Sequence, residues 1–471
     1  MREFFRESIP EDFSDGYVTV TKGDFLNGPI TAVTLRRNDE LDLVFELTLD
    51  GWSKEKPQRY PAGAVRAADE KIEFSHAAGW VGVAHGVIER GVRSHSNRVG
   101  QSETVETYSA RSVEIDLQRQ VQPSFVIEWV LNLPSGFIWS EPTRYKLIET
   151  FTKSVGTGDA EIRMSSSSEA GGGNKALHLR ISRIDLYVMR SDDRSKNDKD
   201  AGQIVYRTYI DQAFRDKVRA CLSFVLGSPI VYLGHTDYCS EWVPTFMKSV
   251  DAFSLDGAAF RLNDLPPYPI NDSKYGNIIN PKLVSDLVNA LFDKFDDIKF
   301  NELSWSYWYA MSAPLHVAAI QLGSLIEQLQ KNSNKITKTS AKVLDDETWS
   351  SLNSTILCWL KAANIHSDIR PILEGKISSL NQAPQNLALK RLLDALRLKV
   401  SDTEMKAWKH RNRAAHGGSL DNPIEIILNS KILRLLFHRL LAGVTGCSDR
   451  YIDYYNLGHP VRMLKDEVPG R

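Results

Sequence analysis

The feature that most constrains this chain is a change of hydrophobic period part-way along it. From residue 1 to about 207, apolar residues alternate with polar ones or gather as Val and Ile, as strands require. "YVTVTKGDFL", "ITAVTLRR", "LDLVFELTL", "SVEIDLQRQV", "SFVIEWVLNL" and "LHLRISRIDLYVM" all read this way. From about Asn280 the period becomes that of amphipathic helices. At 471 residues the chain is also too long for one core. The expected fold class is therefore α+β multidomain. A β-rich N-terminal half, residues 1–275 with a helical subregion over 208–227, precedes an all-α bundle over 276–471.

Punctuation supports this division. "RMSSSSEAGGGNK" and "RSDDRSKNDKDAGQ" have the composition of surface loops, and "LPPYPINDSKYGN" reads as a turn-rich connector. Asn280 followed by Pro281 predicts a helix start. "APLHVAAIQLGSLIEQLQ" places Leu315, Ala319, Leu322, Ile326 and Leu329 on one stripe. Further helices are expected over "NLALKRLLDALRL" and, from the Asp421–Asn422–Pro423 start, over "NPIEIILNSKILRLLFHRLL", joined as a bundle.

Composition narrows the function classes. The formal net charge is −1, so nucleic-acid binding would need positive charge concentrated locally. The four cysteines, Cys221, Cys239, Cys358 and Cys447, form no C-x-x-C pair and suit a reducing compartment. "MREFFRESIPEDF" carries charges where a signal peptide needs an apolar core. "KILRLLFHRLLAG" is interrupted by Arg434, His438 and Arg439 and is too short to span a bilayer. The expectation is a cytoplasmic protein without a membrane partner.

The densest local charge lies in "KHRNRAAHGG", where Lys409, His410, Arg411, Arg413 and His416 follow closely. Ser401 stands three residues before Glu404, a capping-box start, and Gly417–Gly418 mark a stop. A helix is therefore expected from about Asp402 to His416, with Met405, Trp408, Asn412 and Ala415 on one face and Arg411 beside it. On charge alone this is the solvated, cation-rich end of a helix, favoured by the macrodipole at about 0.3–1 kcal/mol per cation.

Arg411–Asn412–x–x–x–His416–Gly417 resembles the R-x4-6-H signature of HEPN-domain ribonucleases, with the frequent polar residue directly after the arginine. Spacing alone is weak: "RGVRSH" gives a second match, Arg90 to His95, inside the β-rich half, and chance supplies about one in a chain this long. The 411–416 copy instead ends a capped helix among other helices. The resemblance covers roughly residues 300–445. The layout, β-rich half before helical domain, resembles ApeA-like anti-phage proteins.

The resemblance implies a metal-independent endoribonuclease without cofactor, in which a ribose 2′-OH attacks the adjacent phosphate. His416 would transfer protons near neutral pH. Arg411 would offer a fixed cationic fork to the developing phosphorane charge. Asn412 would orient the histidine or bind a phosphate oxygen. It further implies a homodimer through the HEPN domain, an abortive-infection or toxin-like role, and an N-terminal half that restrains the nuclease or senses a phage-derived trigger. The alternative is a non-catalytic HEPN module binding RNA or protein.

Lys409, His410 and Arg413 are the nearest candidate RNA contacts, with His410 ranked below His416 for proton transfer. Lys431, Arg434 and His438 fall at i, i+3, i+7 on one strip of the next helix, a candidate RNA path or dimer seam or else a solvated stripe. Glu327 stands in the earlier helix where the family often has an acidic residue; lying opposite the apolar stripe, it is expected exposed.

In "GHTDYCSEW", His235, Asp237, Cys239 and Glu241 alternate. Same-face positions on a strand are about 6.5–7 Å apart, so the four cannot surround one ion, and no metal site is assigned. His76, His85 and His95 lack chelating spacing. No Walker-type loop, G-x-G-x-x-G, H-E-x-x-H or G-x-S-x-G element is present.

Overall fold

The computed structural model describes residues 18–22, 30–38, 42–50, 71–77, 79–96, 102–117, 121–144, 151–155, 162–166, 172–190, 201–251, 265–271, 277–363, 365–415 and 422–470. The chain forms two compact units, Met1–Leu265 with Ile270–Ser285 and Pro266–Pro269 with Asp286–Arg471. The first is β-rich and the second helical, as the change of period predicts.

In the first unit the main antiparallel sheet runs, from edge to edge, through β1 (Val18–Lys22), β4 (Lys71–His76), β5 (Val81–His85), β8 (Ser112–Asp116), β17 (Pro244–Val250), β16 (Val231–Tyr238), β9 (Phe125–Leu131), β15 (Gly202–Tyr206), β14 (Ile184–Arg190), β13 (Gly172–Ile181) and β10 (Glu141–Arg144). A second sheet orders β2 (Ile30–Arg37), β3 (Leu43–Asp50), β7 (Ser102–Ala110) and β6 (Ile88–Ser96). Leu35, Phe45 and Leu47 of this sheet share one core with Ile72, Phe74, Val113 and Ile115 of the main sheet. Alternating side chains on both sheets produce that shared core. The decoy Arg90–His95 lies in β6, a strand, where no helix end is available.

Three features of this unit differ from expectation. "LHLRISRIDLYVM" is a hairpin, with Ile181 paired to Ile184 across Ser182 and Arg183. Both turn residues take positive φ, 46° and 72°, as a type I′ turn demands, but neither is the Gly, Asn or Asp that announces one. Parts of "RMSSSSEAGGGNK" are strand, ending a strand at Ile162–Ser166 and opening β13 at Gly172. Central strands β16 and β17 follow the helix α1 (Gln212–Leu226), beyond the strand-like run that ends near residue 207. Gly234 in β16 has φ 148°, and a Cβ there would lie 2.1 Å from the Lys248 carbonyl oxygen.

Buried charges join α1 to the main sheet. Asp211 caps α1 by accepting from Phe214 N at 2.7 Å. Glu128 on β9 is fully buried and receives Arg219 at 2.6 Å, Arg215 at 3.1 Å and the Tyr206 hydroxyl at 3.3 Å. Beside it, His235 bonds to the Tyr232 hydroxyl through Nδ1 and faces Asp237 at 3.8 Å through Nε2. Burial depresses His235 to about 2, with Arg215, Lys248 and Arg219 adding to the effect. Burial raises Asp237 to about 6.

The helical unit contains most of α2 (Pro281–Asp293), then α3 (Phe300–Ser312), α4 (Leu315–Thr337), α5 (Asp346–Ala362), α6 (Arg370–Ser379), α7 (Gln385–Leu396), α8 (Asp402–Ala415) and α9 (Pro423–Thr445). Asn280 caps α2 by accepting from Lys282 N at 3.0 Å. Asn422 caps α9, with Pro423 in its first turn and Gly446 closing it in the left-handed region. On α4 the expected stripe holds for Ala319, Leu322, Ile326 and Leu329, while Leu315 is exposed. The connector is partly core: Tyr268 is fully buried and donates to the His438 carbonyl oxygen at 2.8 Å. Among the described residues, no helix is long and apolar enough to cross a membrane.

Candidate functional site

Helix α8 starts where the capping box places it. Glu404 N donates to Ser401 Oγ at 3.3 Å, and Ser401 N donates to Glu404 Oε2 at 3.0 Å. Glu404 is also fully buried against Arg439 of α9, and accepts from Val468 N at 3.1 Å. Arg439 in turn donates to the Lys399 carbonyl oxygen at 2.7 Å. This network sets the rotation of α8 about its axis.

The face so buried is Glu404, Ala407, Trp408 and Arg411. Met405 is only half-buried, so the expected Met405–Trp408–Asn412–Ala415 face is rotated. The reason is tertiary: Glu404 is drawn inward by Arg439, and its i+3, i+4 and i+7 neighbours follow.

Arg411 is thereby placed in the packed face rather than beside it, with its side chain only 5% exposed. Its guanidinium lies over the Trp408 ring, 3.1 Å from the centroid. Nη1 donates to the Trp408 carbonyl oxygen at 2.6 Å, and Nη2 donates to Glu327 Oε1 at 2.6 Å. Burial lowers the Arg411 pKa and the Glu327 carboxylate opposes that shift. The indole is fixed from its far side, Trp408 Nε1 donating to Asn386 Oδ1 at 2.9 Å. Gly323, one turn before Glu327 on α4, makes room: a Cβ there would stand 2.4 Å from Arg411 Cδ.

Glu327 is therefore half-buried and ion-paired, which corrects its expected place on the free surface. Neither Gly323 nor Glu327 was marked by the stripe pattern. The available signal was their i, i+4 spacing on α4, which puts a gap and a carboxylate on one face.

The other candidates separate. His416 and residues 417–421 lie outside the described residues, as do the side chains of Asn412 and Arg413. Lys409 is exposed. His410 Nδ1 faces Glu425 at 3.6 Å, with Lys406 also 3.8 Å from that carboxylate. The strip of Lys431, Arg434 and His438 is not a single exposed surface. Lys431 is exposed, Arg434 is half-buried with its guanidinium 4.6 Å from the Tyr454 centroid, and His438 is fully buried. His438 Nε2 is 3.1 Å from the Tyr307 hydroxyl, and burial pushes its pKa well below 6.5. From Ile432 onward α9 is enclosed on nearly all sides, so its i+7 position faces core rather than solvent.

In the β-rich unit, Cys239 Sγ lies 3.1 Å from Glu241 Oε2. A bulge between Asp237 and Tyr238 breaks the alternation that would align the four residues. Among the described residues, no three His, Cys, Asp or Glu side chains are grouped to hold a metal ion. His76 stacks on Trp80 at 4.5 Å, and His85 faces Glu114 at 3.8 Å. The side chain of His95 is outside the described residues.

The chemistry within reach is therefore a cationic fork whose plane is set by an indole and a carboxylate, near the C-terminal end of a capped helix. No family model, curated protein or solved structure matches the chain.

Proposed function

We propose that the protein is a metal-independent endoribonuclease of the HEPN type, with Arg411, Asn412 and His416 as its reacting groups. The observation that carries this reading is the fixed orientation of the Arg411 guanidinium between Trp408 and Glu327. In this reading the ribose 2′-OH attacks the adjacent phosphorus as His416 takes its proton. The P–O5′ bond breaks, the 5′ oxygen takes up the proton that His416 accepted, and a 2′,3′-cyclic phosphate remains. Arg411 bears the equatorial negative charge of the phosphorane, and Asn412 orients the imidazole or a phosphate oxygen. Because the nucleophile is the 2′-OH, DNA is not a substrate. Lys409 and Arg413 supply phosphate contacts. Two copies of the helical unit pair to complete the cleft. The β-rich unit restrains the activity until a phage-derived cue arrives, since an unrestrained cytoplasmic RNase would poison its own cell.

A second reading is a non-catalytic RNA- or protein-binding module. One observation favours it: Arg411 already donates to Glu327 and to the Trp408 carbonyl oxygen, so its fork is engaged without substrate. Incubation with cellular RNA in EDTA, beside His416→Ala, distinguishes the two. Cleavage leaving 2′,3′-cyclic ends and lost in the variant supports the enzyme. RNA binding with no cleavage supports the module, and metal-dependent cleavage that survives the substitution overturns the site.

A further inference from the structure

Helices α5 and α6 contain no buried side chain, although both are rich in apolar residues. Trp359 is 74% exposed, Leu380 62%, Ile372 59%, Ile369 50% and Leu352 45%. Scattered apolar side chains are ordinary on a surface, but an entire hairpin of helices without a buried face is not. α5 adds a second peculiarity: the thirteen residues from Thr348 to Leu360 include no charge. Depletion of charge at the centre with charge at the ends is the composition of an interface core and its rim.

The order of residues along α5 identifies the occupant. Trp349, Leu352, Ile356 and Trp359 recur at spacings of three, four and three, so they share one face. That pattern is symmetric about Ser354. Trp349 and Trp359 are equidistant from it, as are Leu352 and Ile356, and so are Glu347 and Lys361. A helix symmetric in this way is complementary to itself when reversed. Antiparallel pairing of two copies stacks Trp349 near Trp359 of the second copy and Leu352 near Ile356 of the second copy. It also brings the acidic end, Asp346 and Glu347, level with the basic end at Lys361, whereas parallel pairing would set like charges together. Reciprocal contacts of this kind are what a two-fold axis requires.

We infer that the α5 face is a self-association surface, seated on the same face of a second copy in antiparallel register about Ser354. Trp359 alone leaves on the order of 150 Å² open. Leu352 on the same face, and Ile369, Ile372 and Leu380 elsewhere on the hairpin, are further exposed apolar side chains. A polar rim then brings the contact towards the about 800 Å² per partner of a standard interface. The inference does not depend on the ribonuclease reading, and its test involves no activity.

The test is the mass of the full chain in solution by sedimentation equilibrium, beside a Leu352→Glu/Trp359→Glu variant. Both positions are exposed, and circular dichroism and thermal unfolding check that the variant is folded. The expected result is weaker association: half the mass where α5 alone joins the copies, or a dimer dissociation constant raised at least about ten-fold where the same two copies also meet elsewhere. Register is read separately, in a Cys358→Ser background, by mixing Leu352→Cys and Ile356→Cys chains and oxidising with diamide. Links between position 352 of one copy and 356 of the other should outnumber same-position links several-fold. A wild-type mass of one chain, an unchanged association constant in the folded double variant, or dominant 352–352 links would each overturn the inference.

Discussion

Arg411 donates from Nη2 to Glu327 Oε1 at 2.6 Å, across 84 residues of sequence. The bond ties the end of α8 to the middle of α4 and holds the guanidinium against Trp408. It makes the position of the cation a property of two helices rather than one.

Replacing Glu327 by Ala should therefore cost about 1–3 kcal/mol, because a largely buried cation loses its acceptor. Denaturant unfolding measures this. Under the proposed ribonuclease reading, the same change should lower the cleavage rate on the order of 10-fold, less than the roughly 100-fold expected for Arg411→Ala. A faster Glu327→Ala enzyme would show that the pair locks Arg411 rather than aiming it.

Gly323→Ala separates stability from site geometry. Alanine gains up to about 1 kcal/mol of helix propensity over glycine. Against this, its Cβ would meet Arg411 Cδ at 2.4 Å, an overpacking that costs about 1–3 kcal/mol. The net stability change should be within about 2 kcal/mol, while the proposed cleavage activity should fall because the guanidinium is displaced. A variant as active as wild type would show that Arg411 does not need this place.

The Glu404–Arg439 pair is fully buried, so breaking one side leaves an uncompensated charge in the core. Glu404→Ala should destabilise the helical unit by about 3–5 kcal/mol. It also removes the acceptor for Ser401 N and Val468 N, so amide exchange at the start of α8 and at Val468 should accelerate.

The β-rich unit makes a pH prediction. Asp237 is raised from 3.8 to about 6, so its contribution to stability is fully present below 3.8 and is lost as pH rises through about 6. His235 is depressed from 6.5 to about 2, so its contribution is present above 6.5 and is lost as pH falls towards 2. Between about pH 4 and 6 the two oppose each other, and stability should be nearly flat in that window. Asp237→Asn, neutral throughout, should stabilise the unit at pH 7–8 by about 1–3 kcal/mol and make it lose stability steadily below pH 6.5. Equal pH profiles for the variant and wild type would show that Asp237 is not desolvated.

Local chemistry was readable wherever a signal lies within a few residues. The caps at Asn280, Ser401–Glu404 and Asn422, the decoy in β6 and the stripe of Leu322, Ile326 and Leu329 all depend on neighbours in sequence. The Ser182–Arg183 turn was hidden because its left-handed residues are not the usual ones. Strand β16 was hidden because it is buried along nearly its whole length and so loses its alternation, and β17 because its inward positions include the polar Thr245 and Ser249.

At the candidate site the division is sharper. Sequence alone determined that α8 begins at Asp402, that it carries Arg411 near its C-terminal end, and that its period is helical. It could not determine which way the helix is turned. A cap sets where a helix starts, whereas its rotation is set by what its side chains find to pair with. Here Arg439, Glu327 and Asn386, each distant along the chain, decided that Arg411 faces inward. The same α9 core that supplied Arg439 also drew His438 out of reach of solvent.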